Sequence, residues 1–192
     1  MNIDILRGTL DDIDDISSLN EKYMFYGSAV RPHFEELLQN PDNIALKCTV
    51  NGDFAGALTC LKGIALLGNH SELISRIKRL SEGRNIYTGD SVVVKSEYRR
   101  LGIAGKLCSG MLEELRNRGA ELLLSEIWVY PDGNAPALKT FGSFENHTFL
   151  GHFENFYSDL HNLGYTCPVC GVKCACSAII QLIELAGNEE NT

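Results

Sequence analysis

The alternation of apolar and polar residues along the chain predicts strands and helices in a mixed order. Period-two alternation and short apolar runs, both typical of strands, occur in six segments. These segments are Ile3–Arg7, Ile44–Val50, Phe54–Leu61, Ile86–Val94, Leu122–Val129 and Thr148–Phe156. Asn51-Gly52-Asp53 separates the second segment from the third and indicates a hairpin. A seventh segment, Ala178–Leu185, has an apolar spacing that fits either a strand or a short helix.

Helical periodicity fills most of the chain between these strands. The predicted helices run from a cap at Thr9 to Leu19, from Pro32 to Asn40, from Ile103 to Arg118 before Gly119, and from Ala135 to Phe144. Residues 62–84 form a helical excursion from the sheet. This order predicts an α/β (α+β) fold whose sheet is antiparallel at first and partly parallel later. The 192 residues suit a single domain spanning 1–192.

Composition and charge narrow the classes of partner. The chain is 44% hydrophobic and 22% charged, which is ordinary for a folded globular protein. Its net charge of -8 argues against nucleic acid or an anionic membrane as a partner and suits a cationic amine. The sequence has neither a basic segment leading into an apolar run at its start nor the run of about 20 apolar residues that spans a bilayer. We therefore expect a cytoplasmic protein whose cysteines are reduced.

A candidate anion site lies where the strand ending at Val94 leads into a helix. The polar loop that follows holds Arg99, Arg100, Leu101 and Gly102, and the helix opens with Ile103, Ala104, Gly105 and Lys106. Amides at a helix N-terminus attract anions, glycines let a phosphate approach, and arginine binds phosphate in bidentate fashion. A glycine-containing turn with solvated arginines is the alternative. The residues alone favour neither interpretation.

The same residues resemble a known family. Arg99-x-x-Gly102-x-Ala104 after a strand is similar to the pyrophosphate loop, [RQ]-x-x-G-x-[GA], of the GNAT superfamily of acyl-CoA N-acyltransferases. Asn134-x-x-Ala137-x-x-x-Phe141-x-x-Phe144 resembles the second cofactor segment of that family. The resemblance covers roughly residues 3 to 156, because the order of the predicted elements also agrees. It implies a GNAT-like mixed central sheet flanked by helices.

The resemblance also implies a cosubstrate, acetyl-CoA, and a reaction in which an amine attacks the thioester directly. It places the pantetheine arm on backbone groups of Val92 and Val94, on a strand splayed from its neighbour, and the thioester carbonyl near the amide of Val93. The pyrophosphate is expected on the amides from Arg100 to Gly105. The implied cofactor-binding residues are Val92, Val93, Val94, Arg99, Arg100, Leu101, Gly102, Ile103, Ala104, Gly105, Lys106 and Asn134.

Direct attack requires a neutral amine, so a general base must accept a proton. Asp90 is the first candidate, because strict alternation would put it on the same face as Val92 and Val94. Glu126 on the next strand is the second candidate, and Thr88 could hold a water. A bulge at which Asp90 merely accepts backbone hydrogen bonds is the alternative.

The general acid is harder to assign. The family's usual acid is a tyrosine, and Phe141 stands at the matching position, where it cannot donate a proton. Tyr130 or Tyr157 could substitute, or the thiolate could leave unassisted. A homologue that binds the cofactor without catalysis would also explain Phe141.

Four of the seven cysteines fall within ten residues, at Cys167, Cys170, Cys174 and Cys176. Cys167-Pro168-x-Cys170-Gly171 resembles a zinc or rubredoxin-like knuckle, and four thiolates would complete a closed, structural zinc site. The second pair lies closer than in typical sites of this kind. An iron–sulfur cluster, reduced thiols and an adventitious disulfide are the alternatives. Cys48, Cys60 and Cys108 are predicted to be core residues.

The position of this cluster affects its role. If Ala178–Leu185 is the last strand, the cysteines belong to a loop within the domain, residues 157–178, that borders the acceptor site. The acceptor pocket itself is expected around Tyr23–His33 and residues 62–84. Three functions remain open at this stage: an N-acetyltransferase for a small molecule or an exposed protein amine, a non-catalytic acyl-CoA-binding sensor, and an interaction module with a metal knuckle. The acceptor and the oligomeric state do not follow from the sequence.

Overall fold

The computed structural model describes residues 1–141 and 146–185, in which one seven-stranded sheet is flanked by helices. The strands are β1 Ile3–Arg7, β2 Ile44–Val50, β3 Asp53–Lys62, β4 Ile86–Val94, β5 Leu122–Val129, β6 His147–Phe153 and β7 Ser177–Glu184. The helices are α1 Ile13–Tyr23, α2 Val30–Gln39, α3 Ser71–Leu80, α4 Ile103–Asn117 and α5 Leu138–Phe141. Short 3-10 turns occupy Leu10–Asp12, Ser96–Tyr98 and Leu160–Leu163.

The sheet has the strand order β1-β2-β3-β4-β5-β7-β6. The β4–β5 pair is parallel and the other neighbouring pairs are antiparallel, so the predicted mixed sheet is confirmed. The segment that fitted either a strand or a helix forms β7, which lies between β5 and β6. Ala178, Ile180 and Leu182 of β7 are buried because they pack in an apolar cluster on one face of the sheet.

Helices cover both faces of the sheet. Ile103, Leu107 and Met111 of α4 pack against one face, over β2 and β3. On the other face, Ile16 of α1 and Phe34 of α2 pack on small residues of the same strands. Among the described residues, no helix is both long and apolar enough to cross a membrane.

Most predicted boundaries agree with the structure to within a few residues, and the differences have local causes. The helix predicted from Thr9 starts as a 3-10 turn, in which the Thr9 amide donates to the Asp12 carboxylate at 2.9 Å. Helix α2 begins at Val30, so Pro32 lies inside its first turn, where proline is tolerated. The helix predicted over Ala135–Phe144 is observed as Leu138–Phe141. Phe144 lies outside the described residues.

Candidate active site

A cleft opens where the parallel strands β4 and β5 diverge. Their pairing runs from Ile86 opposite Leu122 to Gly89 opposite Ser125, although β4 continues to Val94 and β5 to Val129. Beyond Gly89 the strands enclose a cavity of about 360 Å³. The residues lining it include Val92, Val93, Val94, Arg99, Ala104, Glu126, Tyr130 and Ala137. The cavity therefore extends from the start of α4 along β4 to a carboxylate.

The loop before α4 presents backbone amides to solvent at one end of this cleft. Arg100 and Gly102 both have positive φ, 65° and 75°, and this conformation turns the chain sharply into the helix. The first amides of an α-helix lack intrahelical acceptors. A Cβ atom on Gly105 would have no other atom within 4 Å, so the first turn is accessible. Leu101 and Lys106 are exposed beside it.

Arg99 lies beside this loop, where two contacts hold its side chain. Its Nε donates to the carbonyl oxygen of Val94 at 3.1 Å, and its guanidinium carbon lies 4.5 Å from the centre of the Tyr23 ring. The remaining guanidinium nitrogens extend the positive charge of the helix N-terminus along the mouth of the cleft. This arrangement suits an anionic group such as a phosphate.

Asn134 lies in the exposed turn after β5. Its backbone N–H donates to the Asp132 carboxylate at 2.9 Å, and its backbone carbonyl oxygen accepts the Tyr130 N–H at 2.8 Å. The turn directs Ala137 against the cleft. Phe141 ends α5, and its side chain lies outside the described residues.

The face on which Asp90 lies corrects the expectation from strict alternation. Thr59 of β3 is opposite Ser91 while its neighbour Cys60 is opposite Gly89, so Asp90 is the extra residue of a β-bulge. A bulge reverses the alternation that follows it. Val92 and Val94 accordingly pack with the α4 core, whereas Asp90 points to the side of α2.

Asp90 forms a hydrogen-bonded pair with a histidine from α2. Its Oδ1 lies 2.9 Å from Nε2 of His33, and its Oδ2 accepts the Thr59 hydroxyl at 2.6 Å. Burial acts to raise the pKa of Asp90, but the His33 charge and the two hydrogen bonds outweigh it and lower that pKa. Burial likewise acts to lower the pKa of His33, and Asp90 outweighs it and raises that pKa. The two groups therefore stabilise each other as an ion pair.

Replacing one partner tests this pair. We expect Asp90→Asn to lower the free energy of unfolding by about 1 to 3 kcal/mol, because it leaves His33 without its counter-ion. The raised pKa of His33 stabilises the fold below its ordinary value of 6.5, and this contribution disappears as the pH rises through the folded pKa. The lowered pKa of Asp90 contributes above 3.8 and is lost as the pH falls. Urea unfolding should show a larger loss at pH 5.5 than at pH 8.5.

The control for this prediction is the exposed ion pair between Asp14 and Arg31. Solvent screens such a pair, so Asp14→Asn should change the free energy of unfolding much less than Asp90→Asn does at both pH values. Equal losses for Asp90→Asn at the two pH values would contradict the ion pair.

A second cavity, of about 300 Å³, adjoins the cleft on the side of α1 and α2. Asp90 and Glu126 line both cavities, so they stand where the two meet. The rest of the second cavity is largely aromatic and apolar. Its lining includes Phe25, His33, Phe34, Leu67, Trp128, Tyr157 and Tyr165. The predicted acceptor regions, Tyr23–His33 and residues 62–84, both contribute to this cavity.

Glu126 has the environment of a proton acceptor that works near neutral pH. Its Oε1 accepts the Tyr157 hydroxyl at 2.8 Å, and its Oε2 accepts the amide of Leu67 at 3.3 Å. Burial raises the pKa of Glu126 to about 7, despite these two hydrogen bonds, and the nearby Asp90 charge adds to the rise. Near neutral pH, the carboxyl group can therefore both lose and accept a proton.

Sequence reasoning missed two of these partners. His33 is 57 residues from Asp90, and nothing in a single sequence links the two. Tyr157 was considered only as a general acid, whereas its hydroxyl donates to Glu126. A glutamate inside the apolar run Leu122–Val129 was the one available signal for a buried carboxylate. Thr88, considered as a water site, instead bonds the backbone of Gly63 and Ala65.

The seven cysteines fall into two groups. Cys48, Cys60 and Cys108 are buried in the core between α4 and the sheet, as predicted. The other four lie together at the opposite end of the sheet, and their sulfur atoms are all within 4.8 Å of one another. The loop therefore brings all four sulfur atoms together, although the second pair of cysteines lies closer in sequence than in typical zinc sites.

Comparison with known proteins identifies the family. The chain matches the sequence profile of the Acetyltransferase (GNAT) family over residues 11–144. The chain belongs to the GNAT acetyltransferase family. The matched range contains the loop before α4, both strands of the cleft, and Asp90 and Glu126. A sequence search of curated proteins finds no match.

Solved structures of GNAT enzymes share the fold at low sequence identity. The ribosomal-protein-S18-alanine N-acetyltransferase from Escherichia coli is 19% identical with a TM-score of 0.67, and the match covers 100% of this chain and 99% of that one. An aminoglycoside 6'-N-acetyltransferase complexed with coenzyme A is 15% identical with a TM-score of 0.62, covering 99% and 100%. Ard1 from Thermoplasma volcanium is 14% identical with a TM-score of 0.63, covering 97% and 99%.

Proposed function

We propose that this GNAT protein is an N-acetyltransferase that moves the acetyl group of acetyl-CoA directly to an amine. The observation that carries the proposal is the continuous path from the loop before α4, along the open side of β4, to Glu126. One end of the path suits a diphosphate and the other suits an amine. A thioester bound between them would lie beside the carboxylate.

The cosubstrate would be held mainly by backbone groups. The amides from Arg100 to Gly105 would receive the pyrophosphate, with Arg99 and Lys106 adding positive charge. The edge of Val92–Val94 that faces away from β3 would pair with the pantetheine arm, and the amide of Val93 would polarise the thioester carbonyl. Asn134 would contact the pantetheine from the opposite wall. These assignments follow the resemblance of the motif, and the divergence of β4 from β5 supports them.

Glu126 is a better general base than Asp90. A base works best when its pKa lies near the working pH, and that of Glu126 is raised to about 7. Asp90 is held by His33 and Thr59 and has a lowered pKa, so it accepts a proton poorly. We assign proton removal to Glu126, and to Asp90 the task of orienting His33 at the acceptor cavity.

The chemical step then balances without a covalent enzyme intermediate. The amine gives a proton to Glu126, directly or through water, and its nitrogen bonds to the carbonyl carbon of the thioester. The carbon–sulfur bond breaks, and the thiolate takes up a proton to leave as free coenzyme A. Tyr130 lines the cleft and is the assigned proton donor, because phenylalanine at position 141 has no proton to give.

The acceptor is an amine that fits a small, partly aromatic cavity next to two carboxyl groups. The carboxyl groups attract an amine to this cavity, and it reacts in its neutral form. The fold neighbours include an enzyme for a protein alanine and one for an aminoglycoside, so both classes belong in the test. The cavity of about 300 Å³ favours a single side chain or amino terminus over a large rigid ligand.

Two measurements test the proposal together. Isothermal titration with acetyl-CoA should give one site per chain, and release of free thiol should require an amine from a panel of peptides with free α-amines, lysine peptides and aminoglycosides. Failure to bind acetyl-CoA would contradict the proposal altogether. Binding without turnover on any amine would favour the non-catalytic sensor, which Phe141 makes the second candidate.

A further inference from the structure

We infer that Cys167, Cys170, Cys174 and Cys176 bind one zinc ion as four thiolates, and that this centre supports the wall of the acceptor cavity. The sulfur atoms of Cys167 and Cys176 lie 3.8 Å apart, and those of Cys170 and Cys176 lie 3.5 Å apart. Four sulfurs around zinc, each about 2.3 Å from the metal, are about 3.8 Å from one another. Two of the six sulfur–sulfur distances therefore already match the edges of such a tetrahedron, and all six are within 4.8 Å.

The local chain conformation explains how such close spacing in sequence produces a closed site. Gly171 has a φ of 73°, and its amide donates to the carbonyl oxygen of Cys167 at 2.9 Å, which folds the first pair into a tight turn. The Cys170 amide approaches the Cys167 sulfur at 3.4 Å. Cys174 and Cys176 then return at the start of β7 and complete the set.

A neighbouring side chain has an unused hydrogen-bond donor at this place. Trp128 is 7% exposed, and its indole Nε1 has no hydrogen-bond partner of normal geometry among the described residues. Trp128 and Cys176 belong to the same buried apolar cluster. A buried N–H without an acceptor is costly, and a metal-bound thiolate beside it would reduce that cost.

The ligand set suits zinc in a structural role. Three of the four cysteines are buried, and they pack in one apolar cluster with Phe25, Trp128 and Tyr157. Four thiolates leave no coordination position for water or substrate, so the centre does not take part in the transfer reaction. Each thiol would release its proton to the solvent as the metal binds.

The centre connects directly to the acceptor cavity. Thr166, next to Cys167, exchanges two backbone hydrogen bonds with Tyr26 in the α1–α2 connection, at 2.7 and 3.0 Å. The carbonyl oxygen of Gly164 also accepts the Ala29 amide at 3.3 Å. Trp128 stacks on Phe25 with ring centres 4.8 Å apart, and both line the cavity. The metal would therefore fix the position of the α1–α2 connection.

Metal analysis of the purified full chain tests the site without any variant. We expect one zinc per chain, and cobalt(II) in its place should give the intense thiolate charge-transfer and visible bands of a tetrahedral sulfur site. Cys170→Ala, at the most exposed of the four positions, should weaken zinc retention against a chelator at least 100-fold. Cys108→Ala, at a buried cysteine far from the cluster, should leave one zinc per chain.

Each contrary outcome overturns the assignment. A protein that contains no zinc and binds neither zinc nor cobalt when reduced has no such site. Finding iron with acid-labile sulfide would show that the cysteines hold an iron–sulfur cluster and not zinc. Equal retention of zinc by Cys170→Ala and the wild type would show that the zinc is bound adventitiously. The metal content of the wild type is sufficient to decide the question, so the test still holds if a variant fails to fold.

The link to the acceptor rests on the proposed function and has its own measurement. Zinc removal should raise the KM for the amine at least tenfold while changing the dissociation constant of acetyl-CoA less than threefold. Unchanged KM values after complete zinc removal would refute the supporting role and leave the metal site in place. Absence of turnover with zinc bound would count against the proposed function alone.

Discussion

Glu126→Gln is expected to lower kcat by about 10²- to 10⁴-fold, which is the usual contribution of a positioned base. Glutamine has nearly the same shape and can still accept the Tyr157 hydroxyl, but it cannot take a proton. The cosubstrate should bind nearly as before, since its phosphates are proposed to contact the loop before α4 and glutamine keeps the shape of glutamate. Thiol release and calorimetric titration of acetyl-CoA measure the two effects separately.

The pH dependence gives this prediction a second signature. The rate of the wild type should rise with pH through an apparent pKa of about 7, as the Glu126 carboxyl group loses its proton. The variant, assayed with the same amine, should lack that rise and keep only the titration of the amine itself. Glu113→Gln, at an exposed carboxylate on α4, is the matched control and should keep the wild-type profile. A full pH response in Glu126→Gln would assign the base elsewhere.

Glu126→Gln should also change how the free energy of unfolding depends on pH. The folded pKa of Glu126 is raised above its ordinary 4.5, so its contribution is greatest below that value and falls as the pH rises through about 7. Between pH 5 and pH 8, the wild type should lose about 2 to 3 kcal/mol more than the variant, since one pKa unit corresponds to about 1.4 kcal/mol. Urea unfolding of both proteins at the two pH values measures this difference.

Gly105→Glu is expected to weaken acetyl-CoA binding by about 100-fold, or roughly 2.7 kcal/mol. The new carboxylate would lie in the first turn of α4, where the phosphates are proposed to bind, and would repel them. The fold itself should become more stable, because a glycine leaves the helix and a negative charge joins its N-terminus. Calorimetry and thermal unfolding should therefore change in opposite directions.

Gly105→Gln separates charge from bulk at this position. It has the size of glutamate without the charge, and we expect it to retain about tenfold more affinity than Gly105→Glu, because the repulsion is absent. Loss of binding by both variants to the same degree would mean that bulk alone blocks the loop. Wild-type affinity in Gly105→Glu would place the phosphates away from α4.

The sequence predicted the secondary structure well where periodicity and turn chemistry are local. Asn51-Gly52 determined the β2–β3 hairpin, and the loop of Arg99 to Gly102 led directly into α4 as expected. The predicted face of Asp90 was wrong because a bulge adds one residue to β4, and a hydrophobic pattern does not reveal a bulge.

The partners of the site depended on contacts that no local pattern contains. His33 reaches Asp90 only after α2 has packed over β2 and β3, and Tyr157 reaches Glu126 from the segment beyond β6. The pKa of Glu126 in turn depends on this packing, because burial is its largest cause. The sequence could therefore name both carboxylates, but it ranked Asp90 first because it does not contain the burial on which the proposed order rests.

The position of β7 has a consequence for biosynthesis. Among the described strands β7 is translated last, yet it lies between β5 and β6 and pairs with both. While it is still inside the ribosome, the edge of β5 that pairs with β7 stays open along Leu122–Val129, and β6 has no described neighbour. Exposed strand edges are where chains aggregate. A nascent chain paused before Ser177 would thus need chaperone protection, and its cleft could become complete only after β7 emerges.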